Sequence, residues 1–536
     1  MKNSKQTLSE NSLILVLSAI ITKMISAFLR IPLASDTFLG NIGFGYFSIA
    51  HDLFMPFYAL AISGLPVAIS KITAEALASK CYTQVKDNFK TTKKLFTILG
   101  VIFSLSVAVL SIPLVLSKIG IGNLYSIIAV VPSVFLCFIV SVYRGYFEGF
   151  SNMYPTAISK ILEGIVKLIV GLLLSLIVIK LTNNPALASA AAISSFSLGT
   201  LISTLYLRSK FKRNNPLNKL KEEYSCEKSS PLTLKIILIL AIPFVLSSLA
   251  NSVVALIDVF TMNLQFSNAS AEYLDVVKNM HFSNNLTAVV NEDITTYLYG
   301  VKSKAFTIYN LIPIVTMSLG IAALPVLTQS VVSKDDNALK NNTAYILKML
   351  FCITLPVGIG LIVLGQPIMN LLYSSTDTLS GNLLSIYGVA ALFAGVAIPV
   401  TTILQALNYH YKALIHIIIG IVIKIVSNIV LLSFPQVNIY AAPIGTVLCY
   451  LYIMIAFFIL LSLRIKGLNL FKVTIKPLIS AVLCGVTAYF VSMFANDKIF
   501  TVLAICVAGL VYFTFLYIFR TFTKDELKNF FKLKDC

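Results

Sequence analysis

Apolar runs of about twenty residues recur fourteen times along this chain, and short polar loops separate them. A membrane-spanning helix needs about 20 mostly apolar residues. Because 57% of the 536 residues are apolar and only 12% are charged, a soluble fold could not bury so much apolar surface around one core. The pattern predicts an all-α polytopic membrane protein. Its predicted spans are 11–33, 44–70, 95–116, 124–143, 161–179, 185–207, 236–260, 305–330, 349–369, 383–404, 415–434, 441–463, 477–494 and 500–519.

The basic residues alternate from loop to loop. Loops on one side of the predicted spans, with both termini, carry 31 of the 41 Lys and Arg residues, and the opposite loops carry six. Because Lys and Arg are retained on the cytoplasmic side of a membrane, the basic side and both termini are predicted to be cytoplasmic. The segment 261–304, which contains Lys302 and Lys304, is predicted to be a long external loop.

Short motifs indicate an internal duplication. GLPVAIS at 64–70 corresponds to ALPVLTQ at 323–329, and GIVK at 164–167 corresponds to GIVIK at 420–424, with nearly the same separation. Six spans in each half make the repeats parallel. The predicted regions are an N-terminal lobe of helices 1–6, a basic cytoplasmic linker, a C-terminal lobe of helices 7–12, a final helix pair and a basic tail, at 1–211, 212–231, 232–466, 467–520 and 521–536.

Four basic residues fall inside predicted spans: Lys23, Arg30, Lys167 and Lys424. Each costs about 2.5–3.5 kcal/mol at the bilayer centre on insertion scales, so a functional reason is expected. Lys23 and Arg30 are seven residues apart and therefore share one helix face, which we expect to line a polar interior. The alternative is that Arg30 extends its side chain to the outer interface.

Acidic and amide residues accompany these cations. Glu163 precedes Lys167 by four residues, a spacing that allows an ion pair on one helix face. Asn428 follows Lys424 by four residues and is a candidate hydrogen-bond partner. The Glu163–Lys167 pair therefore has two interpretations, a neutralised structural pair or part of a ligand site.

His51, Asp52 and Asp258 are further ionisable residues inside the spans. His51 and Asp52 are either a proton-responsive element or an ordinary inter-helix hydrogen bond. The cations outnumber the carboxylates, so the interior is predicted to be modestly positive. Such an interior suits an anionic ligand, and the phosphate of a lipid-linked substrate is the anion that we expect inside a membrane.

The sequence lacks enzyme and metal signatures. It contains no phosphate-binding loop for ATP, no Gly-x-Ser-x-Gly and no His-Glu-x-x-His motif, and its cysteines and histidines lack metal-type spacing. We therefore predict no catalytic residue, no metal and no cofactor. A membrane glycosyltransferase would need external carboxylates, and Glu292 and Asp293 are the candidates for that alternative.

Several segments resemble the flippase branch of the multidrug/oligosaccharidyl-lipid/polysaccharide exporter superfamily, most of all the stage V sporulation protein B group and the Gram-positive lipid II flippases. These segments are RIPLA at 30–34, GLPVAISKITAE at 64–75, YRGYFEGFSNMYPTAISKILEGIVK at 143–167, LID at 256–258 and ALPV at 323–326. The resemblance implies fourteen helices, with two six-helix lobes in a V around a cationic cavity and a groove for the lipid tail in the last two helices.

The resemblance also assigns roles to residues. The basic residues of the family's first span match Lys23 and Arg30, and the acid and base of its fifth span match Glu163 and Lys167. Ser35 departs from the family pattern, which commonly has an arginine there. We further predict that four charged residues in the resembling motifs belong to a cytoplasmic gate: Lys71, Glu75, Arg144 and Glu148.

The sequence thus predicts a flippase in a bacterial plasma membrane that moves an undecaprenyl-diphosphate-linked glycan from the inner to the outer leaflet by alternating access. The expected partners are this lipid-linked sugar, membrane lipid and cell-wall synthesis enzymes, with no nucleic acid. The membrane potential, protons or sodium ions are the candidate driving forces. The alternatives are a cation-coupled multidrug exporter of the same superfamily and a non-transporting scaffold for cell-wall synthesis or sporulation.

Overall fold

A computed structural model of the chain describes residues 8–35, 37–79, 81–116, 122–213, 252–266, 268–281, 294–373, 378–493 and 498–522. Throughout these ranges the regular structure is helical, and no strand occurs in them. This agrees with the all-α fold that the apolar runs predict, because an α-helix satisfies its own backbone hydrogen bonds inside a bilayer.

The helices are numbered in chain order. The first nine are α1 (Leu8–Leu33), α2 (Gly40–Ala59), α3 (Leu65–Ala78), α4 (Tyr82–Leu116), α5 (Gly122–Gly149), α6 (Tyr154–Thr182), α7 (Pro185–Arg213), α8 (Ser252–Phe266) and α9 (Ala271–His281). The others are α10 (Ile294–Tyr309), α11 (Leu311–Val332), α12 (Asp336–Val363), α13 (Gly365–Tyr373), α14 (Thr378–Ala406), α15 (His410–Leu432), α16 (Ala441–Arg464), α17 (Leu470–Met493) and α18 (Lys498–Ile518).

Twelve helical segments in the described ranges are long and apolar enough to cross a membrane. They coincide with twelve of the predicted spans. The predicted first span, 11–33, corresponds to α1, which is not one of the twelve. Most of the predicted seventh span, 236–260, lies outside the described residues, and α8 covers its end. The multi-pass membrane fold is therefore confirmed, whereas the count of fourteen spans stays a prediction.

The chain divides into two compact units. The first comprises Met1–Ser303 and Asn428–Ile439, and the second comprises Lys304–Ser427 and Tyr440–Cys536. In the first unit, α5 packs against α2, α3, α4 and α7, and α6 packs between α1 and α7. In the second unit, α14 packs against α11, α12, α13 and α16, while α17 joins α18 to α12. The lobe, linker and tail boundaries drawn from the sequence stay predictions.

Two of the membrane-spanning segments are broken helices of equal length. Gly40–Ala78 and Ile294–Val332 each contain 39 residues. The first is interrupted by a π-helical turn at Leu60–Gly64, and the second breaks at Asn310. Each break lies just before a proline. The proline ring crowds the carbonyl four residues earlier and the residue has no N–H to donate, so the regular helix is interrupted there. These prolines are Pro66 and Pro313. The sequence motifs pair Pro66 with Pro325 and not with Pro313, so the internal duplication stays a prediction.

Within the first unit, α2 and α10 cross with their backbones in direct contact. A Cβ on Gly45 would collide with the Thr296 carbonyl oxygen, and a Cβ on Gly300 would collide with the Asn41 carbonyl oxygen. The contact is reciprocal. Gly45 lies four residues after Asn41 on α2, and Gly300 lies four residues after Thr296 on α10. Glycine at such a contact lets membrane helices approach closely.

The described residues of the predicted external loop 261–304 are largely helical, and its end at 294–304 belongs to the candidate membrane span Ile294–Val332, so the loop interpretation of that end was wrong. It contains the end of α8, all of α9 and the first part of α10. The Tyr273 hydroxyl of α9 donates a hydrogen bond of 2.6 Å to the Leu432 carbonyl oxygen at the end of α15. Burial raises the pKa of Tyr273 to about 12, which keeps this donor protonated.

The crossing gives a test by alanine substitution. We expect Gly300→Ala to destabilise the protein by about 1–3 kcal/mol, because its methyl group has to push α2 and α10 apart. Gly509→Ala is the matched control, since a Cβ there meets nothing within 4 Å. The control should be neutral or slightly stabilising, because alanine favours a helix more than glycine does. Thermal melting of both purified variants in one detergent measures the difference, and equal melting temperatures would contradict the assigned contact.

Candidate functional site

The carboxylate of Glu163 binds two cations inside the first unit. Its Oε1 accepts a hydrogen bond of 2.5 Å from Nζ of Lys167, four residues later on α6. Its Oε2 accepts one of 2.9 Å from Nη2 of Arg144 on α5. All three residues are buried. The ion pair that the spacing of Glu163 and Lys167 allowed is thus present, and a second cation joins it.

Arg144 lies deeper than the sequence suggested. We placed it in a cytoplasmic loop as a gate residue, but α5 continues to Gly149 and Arg144 is 1% exposed. Besides its bond to Glu163, it donates to the hydroxyl of Ser159 over 3.0 Å and to that of Ser203 over 3.2 Å. The apolar run ends near residue 143, yet the helix remains buried beyond it. Arg144 is therefore a paired charge inside the helix bundle, and its role in a gate stays a prediction.

Two aromatic rings enclose the ammonium group of Lys167. Its Nζ lies 5.0 Å from the ring centre of Tyr58 and 4.7 Å from that of Phe196, distances that allow cation–π attraction. The Tyr58 hydroxyl also donates to Oε1 of Glu163 over 3.3 Å. The ammonium group of Lys167 therefore contacts one carboxylate and two aromatic rings.

Lys23 and Arg30 lie on one face of α1, as their spacing predicted. The opposite part of this helix exposes a stripe of large apolar side chains, which suits contact with lipid: Leu17, Ile21, Met24 and Phe28. From the rotation of about 100° per residue, the two basic residues lie about 140° around the axis from the centre of this stripe. Lys23 is exposed and Arg30 is buried. The cationic face of α1 is therefore distinct from its apolar face.

The guanidinium group of Arg30 is buried without a full set of partners. Its carbon Cζ lies 5.7 Å from the ring centre of Phe44. Among the residues that the structure describes, neither Nε nor Nη2 of Arg30 has a hydrogen-bond partner. Its charge acts on Asp52, and the charge of Lys167 acts on Lys23. Lys23, Arg30 and Lys167 thus lie in one unit and within electrostatic range of its other charges.

Asp52 connects α2 to α10. Its Oδ1 lies 3.1 Å from Nδ1 of His51, the preceding residue. The hydroxyl of Tyr299 donates a hydrogen bond of 2.7 Å to its Oδ2. The sequence left open an inter-helix hydrogen bond or a proton-responsive element at His51 and Asp52. The structure contains an inter-helix bond at Asp52, and proton coupling stays a prediction.

A second buried ion pair joins α8 to α10. Nζ of Lys302 lies 2.9 Å from Oδ2 of Asp258, and both side chains are fully buried. Nδ2 of Asn428 donates 2.8 Å to Oδ1 of Asp258 and 3.0 Å to the hydroxyl of Thr261. The sequence placed Lys302 in the external loop, which is wrong, because α10 begins at Ile294 and carries Lys302 into the interior.

One of the two missed cations, Lys302, had a sequence signal. Asp258 lay in a predicted span without a basic partner, and a buried carboxylate requires a counter-charge or hydrogen-bond donors. Lys302 belongs to a helix whose aromatic and charged residues lower its mean hydropathy, so a search for apolar runs excluded its first turns. A buried carboxylate without a basic partner in the predicted spans indicates such a missed cation more directly than the hydropathy profile does.

Lys424 is described in the second unit. Its fully buried Nζ donates 2.6 Å to the Ala442 carbonyl oxygen and 2.9 Å to the hydroxyl of Thr446, both on α16. Two neutral oxygens therefore hold this ammonium group. Its assignment to the diphosphate site stays a prediction.

The four predicted gate residues have different surroundings. Lys71 and Glu75 form an exposed pair one turn apart on α3, with 3.9 Å between Nζ and Oε1. Glu148 is half-buried and within electrostatic range of Lys160 and Arg144. The gate itself stays a prediction.

No group of three or more metal-binding side chains occurs among the described residues. Glu292 and Asp293, the candidate residues of a transferase, lie outside them.

Comparison with known proteins places this arrangement in a family. A model described as polysaccharide biosynthesis protein matches residues 8–331, and a second, MatE, matches residues 300–430. Stage V sporulation protein B of Bacillus subtilis (strain 168) is 26% identical over 98% of this chain and 98% of its own length. Lipid II flippase MurJ of the same organism is 23% identical over 94% of each chain.

Solved structures share the fold. The lipid II flippase MurJ in an inward closed conformation aligns with a TM-score of 0.61 at 17% identity, covering 94% of this chain and 98% of its own. An inward-facing multidrug resistance MATE family transporter of the MOP superfamily also has a TM-score of 0.61 at 17% identity, over 84% of this chain and 95% of its own. The predicted resemblance is confirmed, as is the prediction that the chain is a membrane transporter and not an enzyme.

The Asp258–Lys302 pair gives a prediction for stability. We expect Asp258→Asn to cost about 3–5 kcal/mol of unfolding free energy, because it leaves a buried ammonium group without its counter-charge. The double variant Asp258→Asn/Lys302→Met should recover most of this loss. Glu75→Gln is the control, because breaking an exposed pair changes stability by about 0–1 kcal/mol. Melting curves of the purified proteins provide the measurement, and additive losses in the double variant would refute the pairing.

Proposed function

This chain belongs to the family of polysaccharide biosynthesis proteins, and on that premise we propose that it is a lipid-linked glycan flippase. It moves a polyprenyl-diphosphate-linked sugar from the inner to the outer leaflet of a bacterial plasma membrane by alternating access. Its termini lie in the cytoplasm, and the sequence contains no phosphate-binding loop that would couple transport to ATP.

The observation that carries this proposal is the cationic face of α1. Arg30 is buried, and two of its nitrogens lack a hydrogen-bond partner among the described residues. Lys23 lies on the same face, away from the exposed apolar stripe. A cation at membrane depth is costly unless something neutralises it. A diphosphate supplies the missing negative charge, and its oxygens match the donor geometry of a guanidinium group.

The substrate class follows from combining this site with the relatives. One relative is named as a lipid II flippase and another for its part in sporulation. Lipid II-like precursors of the cell wall, or other undecaprenyl-diphosphate-linked glycans, are accordingly the proposed substrates. Lys167 is proposed to assist Lys23 and Arg30 in holding the diphosphate, and a role of Lys424 stays a prediction from the sequence.

The membrane potential favours the proposed direction of transport. Moving negative charge out of a negative-inside cell gains about 2.3 kcal/mol per charge per 100 mV if the full field is crossed. Two charges on the diphosphate double this gain. The potential therefore suffices as a driving force without a dedicated coupling ion.

A cation-coupled multidrug exporter is the main alternative, and the MatE match over residues 300–430 is the observation that favours it. An exporter of organic cations needs a carboxylate available to the substrate. In the first unit, the three carboxylates inside the membrane already accept hydrogen bonds or ion pairs from protein groups: Asp52, Glu163 and Asp258. This arrangement favours an anionic substrate.

Alanine substitution at the α1 face tests the proposal. In vesicles with the purified protein, Lys23→Ala and Arg30→Ala should each slow the movement of a fluorescent polyprenyl-diphosphate-linked sugar by at least about tenfold, because hydrogen bonds between charged groups contribute about 1.5–3 kcal/mol each. Lys180→Ala, which removes an exposed lysine at the end of α6, is the control and should leave the rate unchanged. Expression and melting temperature should be retained.

The same vesicles separate the alternatives. Movement of a cationic dye with no movement of the labelled lipid would establish the exporter. Movement of neither by a folded protein would favour the scaffold. Normal lipid movement in both alanine variants would refute the role of the α1 face.

A further inference from the structure

One carboxylate, Glu163, serves two cations that are held very differently. Arg144 is 1% exposed and is fixed by Ser159 and Ser203 in addition to Glu163. The side chain of Lys167 is 11% exposed, and the contacts of its ammonium group are Glu163 and two aromatic rings. The Arg144–Glu163 pair is therefore part of the helix packing, whereas Lys167 has a single anionic partner that another anion can replace.

Lys167 follows Gly164 by three residues on α6, and its ammonium group lies against Tyr58 on α2 and Phe196 on α7. A Cβ added to Gly164 would lie 3.5 Å from methyl groups of Thr22 and Ile25 on α1, which fixes the two helices in contact. The charge of Lys167 acts on Lys23. Lys167 and the cationic face of α1 therefore belong to neighbouring helices and lie within electrostatic range of each other.

We propose that Glu163 is a tethered counter-anion. It neutralises Lys167 while the site is empty, and it yields Lys167 to the phosphate of the incoming substrate. This inference rests on the proposed function, and it assigns Glu163 the role of a positioning residue that does not itself touch the substrate. When the substrate leaves, Glu163 binds Lys167 again.

The charges explain why such an exchange is useful. Lys23, Arg30 and Lys167 together carry three positive charges against the two negative charges of a diphosphate. If all three stayed available, the site would hold the ligand tightly and release it slowly. Competition from Glu163 weakens the grip of Lys167 at every step, and the Tyr58 and Phe196 rings stabilise the ammonium group during the transfer. A contact that stabilises the bound ligand equally at every stage of transport does not raise the transport rate.

Removing the competitor gives the test. Farnesyl diphosphate, a short soluble polyprenyl diphosphate, is titrated into the purified protein, and lipid movement is measured in vesicles. Glu163→Gln should lower the Kd for farnesyl diphosphate about tenfold, the effect of one additional charge-assisted hydrogen bond, and should slow lipid movement by a similar factor. A role of Glu163 in structure alone would weaken binding and slow movement together.

Two further variants connect the effect to Lys167. In Glu163→Gln/Lys167→Met the gain in affinity should vanish, because no lysine is left to release. Glu272→Gln, which removes an exposed carboxylate on α9, is the control for loss of one negative charge and should not change the Kd. Glu163→Asp covers poor folding of the glutamine variant. The shorter aspartate keeps a negative charge beside Arg144 but lies farther from Lys167. This variant should show a smaller increase in affinity for farnesyl diphosphate than Glu163→Gln.

The outcomes distinguish the two proposals. Binding by the unaltered protein, with no gain in Glu163→Gln or Glu163→Asp, would overturn the counter-anion and leave the flippase standing. A gain that persists in the double variant would also overturn the counter-anion. No binding of farnesyl diphosphate by the folded, unaltered protein would overturn both.

Discussion

A buried charge must find an opposite charge, and in the first unit this requirement decides which cations belong to the architecture. Glu163 holds Arg144 and Lys167, and Asp258 holds Lys302. Each pair joins different helices or successive turns, so removing the carboxylate leaves a cation that the apolar surroundings cannot solvate. Lys23 and Arg30 are different, since no carboxylate in the described part of the chain forms an ion pair with either. The proposed diphosphate site is therefore centred on the two cations that have no carboxylate partner in the described part of the chain.

Much of this organisation is readable from the sequence, because a bilayer imposes strong rules on length and polarity. Twelve apolar runs became spans, and the seven-residue spacing of Lys23 and Arg30 placed both on one face of α1. The four-residue spacing of Glu163 and Lys167 produced the expected pair. These features depend on helix periodicity, which is local and known in advance.

What the sequence did not reveal depends on contacts between distant segments. Arg144 and Lys302 were assigned to loops because each lies beyond the end of an apolar run. Their burial is possible because Glu163 and Asp258, 19 and 44 positions away in the chain, neutralise them. A hydropathy profile scores every charged residue as unfavourable in a membrane and does not take into account that two opposite charges can neutralise each other. Acidic residues inside the spans that lack a basic partner in the sequence do indicate a missing cation, and Asp258 was such a residue.

The crossing of α2 and α10 has a consequence for how relatives of this chain can diverge. Because Gly45 and Gly300 meet carbonyl groups of the opposite helix, the contact depends on main-chain shape and not on side-chain chemistry. Charged residues elsewhere in these helices can therefore change without disturbing this junction. Replacing one glycine, by contrast, spoils a fit that a change on the opposite helix cannot restore, since a main-chain carbonyl cannot be mutated away. The junction therefore requires a residue without a side chain at both positions, whatever charges surround it.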